Sequence, residues 1–169
     1  MIQVGECFVG EGVDAAHLNT VLGDRDGPVG AAWVTSLATP TAGFARFVVV
    51  ARPGVAVQPL TLFVNKAQIV DDGGLHARLT WGPAQAGVAA GVGDALAEGI
   101  VDPAAVAGLL VVAAVWVDPA AADAEAVFAN NRVATRGALA AGAAGRPDVA
   151  EVLDAVAAGV WNPFFSPAR

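Results

Sequence analysis

Apolar and polar residues alternate in two glycine-bounded stretches near the start of the chain. Residues 2–9, IQVGECFV, and 16–22, AHLNTVL, therefore predict strands. In the second, His17, Asn19 and Val21 share one face, and Leu18, Thr20 and Leu22 share the other. GDRDG at 23–27 predicts a turn. Pro28 suits the first turn of a helix, which VGAAWVTSLA carries to Ala38. FARFVVVA at 44–51 predicts a third strand and 51–59 a connector with two prolines. LTLFVNKAQIV at 60–70 predicts a fourth strand, with Val64, Lys66 and Gln68 on one face. DDGG at 71–74 is a turn, and LHARLTW after it predicts a short strand.

The second half changes period. GPAQAGVAAGVGDALAE at 82–98 has helical composition. Each glycine inside a helix costs about 1 kcal/mol relative to alanine. Gly87, Gly91 and Gly93 therefore predict close packing, against a sheet, a neighbouring subunit or a ligand. VDPAA at 101–105 predicts a short helix and 108–117 a buried, valine-rich strand. A long helix is expected over 118–141, with Asp118 as N-cap and Pro119 at its first position. A last helix follows at 148–159, then the aromatic, proline-rich tail WNPFFSPAR. No repeat or linker divides the chain, so one domain over 1–169 is expected. Strands cluster early and alternate with helices later, which predicts an α+β fold or two-layer α/β sandwich.

Composition sharpens this picture. Of 169 residues, 39 are alanine, 15% are charged and mean hydropathy is +0.58. That excludes a disordered chain and predicts a core of small side chains with part of the surface covered by further copies. Nine basic against sixteen acidic residues give a net charge of −7, which argues against nucleic acid and anionic membrane as partners. The longest apolar run, 106–117, is too short to span a bilayer. No positive, apolar leader opens the chain, so a cytoplasmic protein is expected. Cys7 is the single cysteine, so neither a disulfide nor a cysteine metal framework is expected.

Chemistry narrows to a few side chains. His17 and His76 are the only histidines, and histidine is the default proton-transfer group near neutrality. His17 follows a glycine-containing loop; a structural or surface histidine is the plain alternative for both. Asn19 lies beside His17, where its amide can serve a ligand or an edge strand. Lys66 is the only lysine among nine basic residues. It reads as an edge-strand guard or, with Gln68, as the lining of a pocket. Gln85 opens the 82–98 helix, as a cap or a ligand contact near the positive helix end. No phosphate loop, nucleophile elbow or zinc motif is present.

Several separated blocks resemble one family in the right order. GECFVGEGVDAAHLNTVLGDRDGPVG, GFARFVVVARPGVAVQPLTLFVNKAQI and WGPAQAGVAAGVGDALAEGIVDPAAV are similar to the formaldehyde-activating enzymes. That resemblance implies condensation of formaldehyde with tetrahydromethanopterin and release of water, without a metal. It implies a homopentamer with the pterin between subunits, and a fold like domain two of a small-subunit ribosomal protein, with a left-handed βαβ crossover. His17 falls on the family's catalytic histidine. Val48, Lys66 and Gln85 fall on carrier-binding positions. Asn19 stands where the family has aspartate, and Gln68 where it has threonine. These two departures admit another C1 carrier, such as tetrahydrofolate, a carrier-binding protein without catalysis, or action on another aldehyde.

Overall fold

The computed structural model describes residues 1–163 and 165–167. Its framework is a five-stranded sheet. β1 (Ile2–Val9) and β2 (Ala16–Asp24) form as the alternation predicts. β1 pairs antiparallel with β2, and β2 antiparallel with the valine-rich β7 (Leu109–Trp116). β7 runs parallel to β6 (Leu60–Asn65), which pairs antiparallel with β3 (Arg46–Val48), the outer strand. α1 (Pro28–Ala38) lies between β2 and β3 in the chain. The α+β, two-layer expectation holds. α3 (Gln85–Ala97) and α4 (Ala124–Ala144) pack on each other, and α4 also lies along β1 and β2.

The layers bury what the alternation assigns to them. Leu18, Phe63, Val111, Ala113 and Val115 of the sheet meet Val88, Val92, Ala134 and Ala138 of the helices. Small side chains let α3 and α4 approach closely. A Cβ on Gly91 would stand 2.5 Å from the Arg132 carbonyl oxygen and 2.6 Å from Thr135 Cβ; Gly87 meets Phe128 and Asn131 in the same way. Gly93 differs: a Cβ there meets nothing within 4 Å, so within this chain it packs against no neighbour. Outside this seam, Arg132 forks onto Asp94 at 2.6 and 2.8 Å, and Arg136 binds Glu98.

The opposite sheet face is covered over only part of its area. Val29 and Trp33 of α1 sit on Val21, Leu62, Leu110 and Val112. Beyond α1 this face is open, and it carries the polar residues of interest.

Five local expectations need correction. LHARLTW is helical: α2 (Leu75–Leu79) runs through a π turn (Thr80–Ala84) directly into α3. The segment fits both periods, and burial of Ala77, Leu79 and Thr80 selects the helix. The wider turn accommodates Pro83, which has no N–H to give. Second, the 60–70 strand stops at Asn65, whose side-chain amide donates to the carbonyls of Gly43 and Ala67. Third, the long helix begins at Ala124 with Asp123 as cap, accepting from the N–H groups of Glu125 and Ala126. Asp118 instead closes a local turn onto Ala120 N–H. Fourth, VDPAA is a turn, with only 106–108 in a short 3-10 helix.

The strand expected at 44–51 also divides, into β3 and β4 (Val50–Arg52), the latter paired with β5 (Val55–Ala56). α5 (Val149–Ala158) forms as expected, with an Asp148–Glu151 capping box. Phe164, Ala168 and Arg169 of the expected tail lie outside the described residues. Among the described residues no helix is long and apolar enough to cross a membrane.

Candidate active site

Register places the open-face residues in rows. Phe8 pairs with His17 and His17 with Trp116. One row inward, Glu6 pairs with Asn19 and Asn19 with Ala114. Lys66 follows the last β6 residue, and its backbone N–H donates to the Val115 carbonyl at 2.8 Å. Its neighbours Asn65 and Ala67 are buried, so the root of the side chain is fixed. The loop ahead of β2 is fixed too, since Asp14 accepts from the N–H groups of Ala122 and Asp123 at the start of α4.

These rows bring four polar side chains into one chain of hydrogen bonds. His17 Nε2 lies 3.0 Å from Glu6 Oε1. Lys66 Nζ lies 3.3 Å from His17 Nδ1 and donates to Asn19 Oδ1 at 2.9 Å. One protonation pattern satisfies every contact: neutral His17 donates from Nε2 to the carboxylate and accepts at Nδ1 from the lysine. The electrostatics agree. Burial, then the Lys66 charge, push the imidazole below its ordinary range, against an upward pull from Glu6. Burial also pushes Lys66 down, again opposed by Glu6. The tilted Phe8 ring lies 6.0 Å from the imidazole, centre to centre. A cleft of about 540 Å³ adjoins this row, walled by Phe8, Trp116, Val13, Asp118 and Trp161.

Of the residues expected from sequence, His17, Asn19 and Lys66 come together. Val48 and Gln85 do not join them. They line a second hollow with Phe47 and Trp81, at the outer edge of the sheet. With β7 and β6 between β2 and β3, three strand spacings separate the two places, about 14 Å. Gln85 Oε1 accepts from the Val50 N–H at 2.7 Å. It sits inside a continuous helix, so no free helix end adjoins it. Gln68 is exposed on the loop after β6, with its Cγ near Gly43.

Sequence reasoning missed two residues. Glu6 is the single charge in IQVGECFV, but only the pairing of β1 with β2 shows that it meets His17. Trp81, 40% exposed, is held out by the π turn; its position just before GPAQ was the available signal. The remaining candidates have structural roles. His76 Nε2 donates to the Val117 carbonyl at 3.0 Å. Cys7 packs toward Gly137, and burial pushes its thiol up, away from reactivity. Among the described residues no three His, Cys, Asp or Glu side chains converge as a metal site requires.

An amine, an imidazole and a carboxylate joined in series on an open sheet face are groups of the kind that acid–base chemistry uses. The chain belongs to the formaldehyde-activating enzyme family, whose model matches residues 4–162. It is 37% identical over 151 residues to the 5,6,7,8-tetrahydromethanopterin hydro-lyase of Methanosarcina barkeri, covering 89% of this chain and 84% of that protein. It is 35% identical over 154 residues to the bifunctional enzyme Fae/Hps of Methanosarcina acetivorans, and 36% over 152 residues to that of Archaeoglobus fulgidus. Those alignments cover 91% and 89% of this chain, but only 39% and 38% of the bifunctional proteins. The chain thus spans about two-fifths of their length.

Proposed function

We propose that this chain accelerates the condensation of formaldehyde with tetrahydromethanopterin, giving the methylene derivative and water. The observation that carries the reading is the Glu6–His17–Lys66 series, in a chain of this family. In the reaction an amine of the carrier adds to formaldehyde, the resulting hydroxyl leaves as water, and a second amine closes the ring. His17 donates the proton to the leaving hydroxyl and recovers one at ring closure. Help of this kind is worth about 10²–10⁴ in rate. Holding the amines and the aldehyde in register supplies the rest.

The carrier binds between subunits in this reading, and the assembly is a cytoplasmic homopentamer. Two features support an inter-subunit site. The His17 cluster and the Val48–Trp81–Gln85 hollow are separated within one chain, so a neighbouring copy brings the second near the first. The open face also exposes apolar Val4 at 63%, and α1 exposes Val34 at 60%, which an adjacent copy would cover. Asn19 and Gln68 depart from the family pattern and favour testing tetrahydrofolate beside tetrahydromethanopterin.

The test is the condensation rate with each carrier, for wild type and His17→Ala, with folding checked by circular dichroism. Acceleration by wild type that falls about 10²–10⁴-fold in the variant is expected. If neither carrier reacts faster than background, the enzymatic reading fails; carrier binding without acceleration makes the chain a carrier-binding protein. A solution mass near that of one chain refutes the pentamer.

A further inference from the structure

We propose that Lys66 takes up formaldehyde covalently, as an imine on its Nζ, before the carbon passes to the carrier. This rests on the reading that the site handles formaldehyde. It goes beyond that reading by assigning the lysine a nucleophilic role rather than a place in carrier binding.

The geometry is that of an activated nucleophile, a base and a group that orients the base, joined in series. Nζ stands 3.3 Å from His17 Nδ1, and His17 Nε2 stands 3.0 Å from Glu6 Oε1. Glu6 commits the ring hydrogen to Nε2, which leaves Nδ1 with a lone pair facing the amine. Asn19 Oδ1 takes a second N–H at 2.9 Å and fixes the direction of the third bond on Nζ. As a neutral amide it does so without the negative charge that would hold Lys66 as ammonium. Partial burial favours the neutral amine further.

The step balances without an outside oxidant or reductant. The neutral amine attacks the formaldehyde carbon. Nζ gives a proton to His17 Nδ1, solvent water supplies one to the former carbonyl oxygen, and a carbinolamine results. Protonated His17 then delivers its proton to the hydroxyl. The C–O bond breaks, water leaves and the iminium remains on Nζ. An amine of the carrier attacks the same carbon, Nζ departs with that amine's proton as the free amine, and the carrier's second amine closes the ring and returns its proton to solvent, offsetting the one taken up by the oxygen. The sum is formaldehyde plus carrier giving methylene carrier plus water, with the protein unchanged.

The composition supplies an internal control. Lys66 is the only lysine in the chain, so the Met1 amino group is the reference primary amine. The full-length protein is incubated with formaldehyde alone, reduced with cyanoborohydride, digested and read by mass spectrometry. Methyl groups are expected on Lys66 at formaldehyde concentrations and times that leave Met1 largely unmodified. His17→Ala is expected to slow labelling of Lys66 at least about tenfold. Glu6→Gln, which keeps the side-chain size, is expected to slow it as well. Neither variant is expected to alter labelling of Met1. Lys66 labelling no faster than Met1, or indifferent to His17→Ala, overturns the proposal. Lys66→Arg tests it separately, because a guanidinium keeps the charge and forms no imine. Full condensation activity in that variant refutes the covalent step while leaving the overall reaction standing. Absence of acceleration by wild type refutes the reaction itself, whatever the labelling shows.

Discussion

Asn19→Asp puts one negative charge where the structure holds a neutral oxygen, and its effect is calculable. Asn19 Oδ1 lies 2.9 Å from Lys66 Nζ. At that distance two unit charges attract by about 1.4 kcal/mol in a medium like water and about 6 kcal/mol at an effective dielectric of 20. The cluster is partly wet, since the His17 and Glu6 side chains are 32% and 57% exposed, so the water-screened end applies. About 1.4 kcal/mol still favours ammonium over amine by about tenfold. The substitution should therefore leave the side-chain geometry in place and reduce the neutral amine at a given pH about tenfold. The assay is labelling of Lys66 by formaldehyde and cyanoborohydride across pH, normalised to Met1. The expected result is a profile displaced toward higher pH, with labelling about tenfold slower on its rising limb. An unchanged profile would show that Asn19 does not set the charge of Lys66, and the electrostatic reasoning would fall with it.

Three further outcomes are expected. Gly91→Ala forces a Cβ against the Arg132 carbonyl and Thr135, so denaturant unfolding should show a loss of about 1–3 kcal/mol. Gly93→Ala, which meets nothing, should be neutral or stabilising by up to about 1 kcal/mol. Trp81→Ala should raise KM for the carrier about two- to tenfold with little change in kcat, because the indole lines the Val48–Gln85 hollow away from His17. His17 is held below its ordinary range. Folded protein therefore binds fewer protons than unfolded protein as pH falls through about 6.5 toward the depressed value. The stability difference between wild type and His17→Ala should accordingly shift against wild type as pH falls through that window, as read by urea midpoints. A difference independent of pH would contradict the shift.

Much of the fold was legible because alternation and capping are local. β1, β2, α1 and β7 are predicted nearly to the residue, as each is bounded by glycine, proline or a clear change of period. Errors fall where long-range contacts override a local rule. LHARLTW satisfies both periods, and only burial of Ala77 and Leu79 beneath the sheet selects the helix. LTLFVNKAQIV looks like one strand, but the Asn65 amide ends it by capping the carbonyls of Gly43 and Ala67. That single break leaves Lys66 and Gln68 on the loop after β6 rather than within a strand. The site divides along the same line. His17 and Asn19 are two residues apart on one strand, so period two places them side by side. Lys66 joins them through the β2–β7–β6 pairing, which the residues alone do not specify. Glu6 needed the register of β1 on β2, because a slip of one residue would point it at α4 and away from the imidazole. The carboxylate that fixes the histidine tautomer, and so decides whether Nδ1 can accept a proton from Lys66, is thus a property of strand register rather than of any motif.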